Sequence, residues 1–437
     1  MSSSRRMLLA VPILLAGVLL AIRMGRHPSG NFLVFHTAGA RFLQGQPLYP
    51  AQDTEFMEKY RSEDVTLTFK YAPLFGVLMA PLSLLPPVSA QVVWTECNLL
   101  LLVLALYLLR ELCPVWERRR SGWGTVIAAA LMTLGPLQLN FVHAQTNVLW
   151  FTGFLLSVRL CTRHRARLGG VVLGMVGITK VAPLFLAMYP AIKGQWKWLG
   201  GAVLGVVVAV ALPWTLHGPH TGFEQLRGWA KILRCEPLFE QFHPRNQSLR
   251  ALVITTFSPS YGPQHFESRE GWHFDGMRNF LPLQSLERVR IGVWLLSALL
   301  VGTTLIVCIR KKPGEQHRWL VGELSLFVTT MLLISPYTLR YHLVWLMLPS
   351  AWMVSQWRRL RSAPNPVAWR WFLVGICWQA LFFALVCRNL LGRPLFELLY
   401  VFQVYTWGML GTYLFLVVSL WTAPYWCPDN GDLNKAS

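Results

Sequence analysis

Several polar clusters interrupt an otherwise apolar chain, and their side chains suit an anion or a sugar better than a metal. Lys70 lies in Phe69-Lys70-Tyr71-Ala72-Pro73, Lys180 breaks the apolar stretch from Gly174 to Pro183, and Arg340 precedes Tyr341-His342. Lysine and arginine hold phosphate, the first as a point charge and the second as a planar fork. Lys180 is the sharpest of the three, because an unpaired lysine in the middle of a membrane helix costs ~2.5–3.5 kcal/mol on insertion scales. Its own segment has no acidic residue. The partner is therefore a phosphate ligand, or a carboxylate such as Glu96 or Glu323 brought from elsewhere. Lys70 meets either a lipid phosphate or, more blandly, the headgroup layer by snorkelling. Gln145 and Asn147, in Ala144-Gln145-Thr146-Asn147, and Arg245 with Asn246 and Gln247 add amides that either bind sugar hydroxyls or tie helix ends together.

Transfer of a group to a hydroxyl also needs a base. Carboxylates that could serve are Asp53, Glu55, Glu58, Glu63 and Asp64, with a second set from Glu224 to Glu287; most of them read as solvated loop charges. His36, His143 and His342 are further candidates, because an ordinary imidazole is a base near neutral pH. Asn246-Gln247-Ser248 also matches a glycosylation sequon, which matters only in a eukaryotic secretory setting. No HExxH, P-loop or dinucleotide fingerprint is present, so enzymes built on soluble cofactors find no support. Cys97, Cys161, Cys308 and Cys377 sit inside apolar runs without ligand spacing, so neither a zinc site nor a disulfide framework is expected. No metal and no cofactor is expected.

The elements that must position these residues are membrane helices. Of 437 residues, 54% are hydrophobic and only 14% charged, with a mean hydropathy of +0.41, and that is no composition for a soluble domain. The formal charge of +20 comes from 40 Lys and Arg scattered in short clusters between apolar runs. Such clusters mark topology, and no nucleic-acid partner is expected. Placing them inside gives an all-α polytopic protein with about twelve transmembrane helices, both termini cytoplasmic and membrane lipid around it. Met7 to Met24 is the first span, retained rather than cleaved. Residues 25–87 form a first extracytoplasmic segment. Tyr71 to Leu85, studded with Pro73, Pro81 and Pro86, re-enters or lies in the outer leaflet, because a full crossing there would put Glu117-Arg118-Arg119-Arg120 outside.

Further spans are expected over Ser89–Leu109, Trp123–Leu139, Thr146–Leu160 and Trp198–Leu216, with a broken hairpin over Leu168–Ile192 bending near Lys180 and Pro183. Residues 217–288 are a second extracytoplasmic segment. Val289–Ile309, Trp319–Ser335, Leu343–Trp357, Trp371–Cys387 and Phe396–Trp421 complete the path as a single domain, 1–437. In this topology every candidate residue falls on the outer side.

The order of these features resembles glycosyltransferase family 87. The resemblance rests on Asn31 to Ala40 leading to Gly45-Gln46-Pro47-Leu48-Tyr49, on Phe69 to Phe75, and on Ala144-Gln145-Thr146-Asn147, which is similar to the family's Gly-Gln-x-Asn. Gly174 to Pro183, Asn246-Gln247-Ser248-Leu249 and Ser335 to Trp345 continue it. It implies the GT-C membrane fold and a donor sugar, typically mannose, carried on polyprenyl phosphate outside the cytoplasm. One position departs: the family's first outer segment begins with Asp, and here it is Asn31. An amide cannot take a proton from an attacking hydroxyl. If the resemblance puts the base there, His342 or Asp53 has replaced it, or transfer is lost.

The leading expectation is a hexosyltransferase with a polyprenyl-phosphate sugar donor and a lipid or glycan acceptor. A transporter of a lipid or lipid-linked sugar, or a non-catalytic family member, is the alternative. A transporter should offer polar sites on both faces, and a non-catalytic member is what Asn31 would leave.

Overall fold

The structure is a computed structural model that describes residues 28–49, 69–113, 122–240, 245–257, 286–310, 316–361 and 366–426. The first span and Asp53 lie outside the described residues. Among those described, the chain is helical throughout and without strands. Its contacts divide it into two compact units that interleave along the sequence. The first is Met1–Leu108, Leu137–Pro190 and Gln195–Glu236; the second is Leu109–Pro136, Ala191–Gly194 and Pro237–Ser437.

In the first unit, α1 (Gly30–Leu43) starts at Ser29, whose hydroxyl accepts from the Phe32 N–H and whose own N–H donates to Gln91. Such a cap satisfies a donor that the first turn cannot satisfy itself. The expected outer segment is thus helical from Gly30. α2 (Pro73–Ser83) packs on α1 so closely that a Cβ at Gly39 would meet the Met79 backbone. α3 (Pro87–Leu112) is a 26-residue helix that is long and apolar enough to cross a bilayer.

α4 (Gly122–Met132) and α5 (Leu134–Val142) cover the span expected over Trp123–Leu139 as two helices that meet at 66°. Pro136 explains the break: it lacks an N–H and crowds the turn before it.

α6 (Asn147–Thr162) and α7 (Ala166–Lys180) follow. A 3-10 turn, Ala182–Ala187, then leads into α8 (Met188–Ile192) and α9 (Trp196–His217). α7 and α9 lie backbone to backbone. A Cβ at Gly170 or Gly174 would strike the Trp198 or Ala202 carbonyl, and one at Gly201 or Gly205 would strike Arg167 or Val171. Two small-xxx-small faces produce this approach, which in lipid takes the place of hydrophobic burial as the attractive force. α10 (Pro219–Glu240) leaves α9 through Gly218 at φ 83°. Glu224, read from sequence as a loop charge, is an exposed residue of this helix.

The second unit contains α4, α11 (Leu249–Phe257), α12 (Leu286–Ile309) and α13 (Gln316–Ile334). A 3-10 helix, Arg340–Leu346, runs into α14 (Met347–Arg361), followed by α15 (Pro366–Gln379), α16 (Arg388–Val401) and α17 (Val404–Trp426). α12 leaves Ile291, Trp294, Leu295, Leu299 and Ile306 exposed, as a lipid-facing helix should.

Two expected spans differ from the observed helices. Leu343–Trp357 is divided between the 3-10 helix and α14, which is buried from Met347 to Gln356 and turns Ser350, Ser355 and Gln356 toward protein. Phe396–Trp421 is cut at Gln403, where φ is 57°, and Gly392 kinks α16.

Among the described residues, five helices are long and apolar enough to cross a membrane, or six if α4 and α5 form one bent span. Shorter apolar helices stand at Pro73–Ser83, Asn147–Thr162, Ala182–Ile192 and Trp319–Ile334.

Candidate functional site

The candidate residues divide between the two units. In the first, the Lys180 ammonium ends α7 and donates to the Asn147 side-chain oxygen at 2.5 Å. Asn147, fully buried, is in turn held by Asn140, whose Oδ1 accepts from both its backbone N–H (3.2 Å) and its amide (3.3 Å). Asn140 also accepts from the Gln145 N–H through its carbonyl (2.8 Å) and donates to the Gln145 carbonyl (3.4 Å). Gln145 is buried. One asparagine thus shapes the whole Gln-Thr-Asn turn. Its signal in the sequence is a lone amide in Leu139-Asn140-Phe141, which motif reading passed over.

Ala144 opens that turn at φ 46°, and its carbonyl accepts from Trp94. Glycine would adopt this left-handed conformation without the steric cost that alanine bears.

Lys70 reaches the same neighbourhood through the backbone of residues 70–72. Ala72 N–H donates to the carbonyl of Thr179, the residue before Lys180. The Tyr71 hydroxyl bonds Thr146, the residue before Asn147, at 2.8 Å. The Tyr71 carbonyl accepts from Tyr49 (2.6 Å), and the Lys70 carbonyl from Trp229 of α10 (3.1 Å). Burial pushes the Tyr49 phenol well above its ordinary pKa, so its O–H remains a donor across the physiological range. The segment carrying Lys70 is thereby stitched to the ends of α6 and α7.

Val181, next to Lys180, has φ 61° and ψ −54°. For a β-branched residue this is a strained conformation, of the kind that collects at functional sites. The break expected near Lys180 and Pro183 is present. Asn31 lies half-buried in the first turn of α1.

The sequence left Glu96 or Glu323 as possible partners for Lys180. Both oxygens of Glu96 are buried without a hydrogen-bond partner. Glu323 instead pairs with Lys193 at 2.8 Å, both side chains buried, and Lys193 also donates to the Cys308 carbonyl. Lys193 is thus half of a structural ion pair in the second unit.

In that second unit, Arg340 is 8% exposed. Its guanidinium lies 5.1 Å from the Phe396 ring and 5.4 Å from that of Tyr405, with Nη2 donating to the Val386 carbonyl at 3.4 Å and Nε buried without a partner. A Cβ at Gly135 would crowd Nη2. Asn246 and Gln247 are fully buried, and their amides hold backbone: Asn246 donates to Pro336 and accepts from Ser248 and Thr338, while Gln247 donates to the Tyr400 carbonyl. They shape the loops beside Arg340, and burial removes Asn246 from any glycosylating enzyme. Arg245 follows from the same loop, its carbonyl accepting from Tyr400.

The His342 Nδ1 accepts from the Leu339 N–H at 3.1 Å. A neutral imidazole has one accepting nitrogen, so this ring presents Nε2–H as a donor, and its basic nitrogen is already engaged. Among the described residues, no three His, Cys, Asp or Glu side chains are grouped as a metal would need.

Helices of membrane length, together with a lysine–amide cluster at the ends of shorter helices in the first unit and a buried arginine in the second, define a helical integral membrane protein. The model of glycosyltransferase family 87 matches residues 69–336, more than half the chain, and the chain belongs to that family. Asn31, Asp53, Arg340 and His342 fall outside the matched residues.

An alpha-(1->3)-arabinofuranosyltransferase of Corynebacterium glutamicum is 28% identical over 43% of this chain and 42% of its own length. A polyprenol-phosphate-mannose-dependent alpha-(1-2)-phosphatidylinositol pentamannoside mannosyltransferase of Mycolicibacterium smegmatis is 24% identical over 84% of this chain and 81% of its own. A polyprenol-phosphate-mannose-dependent alpha-(1-2)-phosphatidylinositol mannoside mannosyltransferase of Mycobacterium tuberculosis is 29% identical over 48% and 52%, respectively. The chain thus spans less than two-thirds of the first and third of these relatives.

Proposed function

We propose that the chain transfers a hexosyl unit, mannose being the first candidate, from a polyprenyl-phosphate donor to a hydroxyl of a lipid or glycan acceptor. The face is extracytoplasmic, and the membrane is the bacterial inner membrane. The observation that carries this reading is the pairing of half-buried Lys180 with buried Asn147, stitched through Ala72 and Tyr71 to the segment of Lys70. The family and the names of its mannosyltransferase relatives support the donor.

In the reaction, the bond between the sugar C1 and the donor phosphate oxygen breaks, and the polyprenyl phosphate leaves with one more negative charge. Lys70 and Lys180, both in the first unit, stabilise that charge as it develops. The acceptor oxygen bonds to C1 from the opposite side, inverting it, and its proton passes to a base. Asn31 has no basicity to offer, and the accepting nitrogen of His342 is engaged with Leu339. The base is assigned to Asp53. Cations in the chain supply the charge that a metal supplies elsewhere.

The test is turnover of purified protein with polyprenyl-phosphate-mannose and candidate lipid acceptors. Activity is expected in wild type and absent in Asp53→Asn and Lys180→Ala; full turnover in Lys180→Ala would sink the phosphate role. Asn31 favours one second reading, a member that binds the donor without transferring the sugar. Donor binding with no turnover in wild type, restored by Asn31→Asp, would select it.

A further inference from the structure

Where the ends of α1 and α9 meet the start of α10, four buried polar atoms have no hydrogen-bond partner: Trp214 Nε1, His217 Nε2 and both amide atoms of Gln225. Gln225 is only 3% exposed, and leaving a buried amide unpaired is costly. The groups belong to one place. A Cβ at Gly222 would collide with the Trp214 indole, so that ring lies against the α10 backbone one turn from Gln225. His217, a turn beyond Trp214, packs edge-on to Phe42 with ring centres 4.3 Å apart. Gln225 shares a helical face with Trp229, which holds the Lys70 carbonyl.

The chemistry of the set is specific. An indole N–H only donates, a carboxamide donates and accepts, and an imidazole nitrogen does one or the other. None of these groups carries a fixed charge, so the set suits neither a phosphate nor a metal cation, and a prenyl chain would leave it unsatisfied. Adjacent hydroxyls that each donate and accept fit it.

We propose that Trp214, His217 and Gln225 form a subsite for the hydroxyls of a neutral hexosyl unit, beside the Lys70 segment. This rests on the transferase reading above and extends it from the phosphate to the sugar. The sugar is that of the donor or of the acceptor glycan, and the experiment separates the two.

Purified full-length protein is heated with polyprenyl-phosphate-mannose or with polyprenyl phosphate, and KM is measured for donor and acceptor. The variants are Gln225→Leu, which keeps the shape and removes the amide, and Trp214→Phe, which removes the indole N–H and leaves a smaller ring. The expected result for Gln225→Leu is an unliganded Tm raised by ~2 °C, as for removal of an unpaired buried amide. It also loses the extra thermal shift given by the sugar, or its acceptor KM rises about tenfold, the equivalent of a pair of hydrogen bonds. Loss of the sugar-dependent shift places the donor sugar here; the acceptor KM places the acceptor glycan. Higher stability with both KM values within about twofold of wild type and the sugar shift intact would overturn the subsite, leaving only buried polar core. Trp214→Phe repeats the test should Gln225→Leu fail to fold. If wild type responds to neither lipid, the donor reading falls as well, which is a different result from failure of the subsite alone.

Discussion

Lys180 is held by a carboxamide, Asn147, which orients an ammonium without neutralising it. Replacing it with Met keeps the length and apolar stem and removes the charge. Turnover is expected to fall by about 10²–10³-fold, the usual effect of deleting one group that stabilises developing charge, while the Tm stays near wild type; initial rates and a melting curve on the same preparation check both. Ala144 offers a stability test at the same turn. Its φ of 46° suits glycine, and Ala144→Gly is expected to stabilise the protein by about 1 kcal/mol, read as a higher Tm with KM unchanged. Lys70, Gln145, Asn147 and Lys180 could be picked out as polar letters in apolar text. Asn140 could not, because its importance lies in having both Gln145 and Asn147 within reach, which is a property of the turn's shape. Asn246 and Gln247 were legible as polar, but only the folded loops show that they bind backbone.

The helices place these residues by being broken in chosen positions. α7 stops at Lys180 because Val181 turns to a positive φ and Pro183 cannot continue the ladder, so the lysine stands at a helix end rather than along its side. The α7–α9 contact that supports this end relies on glycines at four-residue spacing. Gly174→Leu would force the helices apart and is expected to cost more than ~3 kcal/mol, seen as a fall in Tm and in the yield of folded protein. A normal Tm in that variant would contradict the close packing. The sequence located the break near Lys180 and Pro183, and the Pro-rich Tyr71–Leu85 stretch from its punctuation. It ran Leu343–Trp357 and Phe396–Trp421 through the breaks before α14 and α17, although α17 itself is long and apolar enough to cross a membrane, since apolar residues look alike in a break and in a helix. Only the 3-10 helix Arg340–Leu346 and the positive φ at Gln403 tell them apart.

At the scale of the whole molecule, the reading that cations of the chain do the work of a metal makes a direct prediction. Activity after purification should survive excess chelator, and loss that is restored by a divalent cation would refute it. The buried Lys193–Glu323 pair makes another. Glu323→Gln leaves a buried ammonium uncompensated and is expected to destabilise by about 3–5 kcal/mol, measurable by thermal melting, without moving KM if the protein still folds.

What the sequence by itself determined is the solvent and the class: a chain 54% hydrophobic with scattered cations has to lie in lipid as helices, since only helices or closed barrels satisfy their backbone there. It also named the cations, because charge in an apolar run is conspicuous wherever the run folds. The tertiary structure alone decided their partners. Pairing Lys180 with Asn147, Glu323 with Lys193 and His342 Nδ1 with Leu339 depends on distances between residues far apart in the chain or on the pitch of a local turn. A hydrogen bond forms or fails within a few tenths of an ångström, and residue order carries no information that fine.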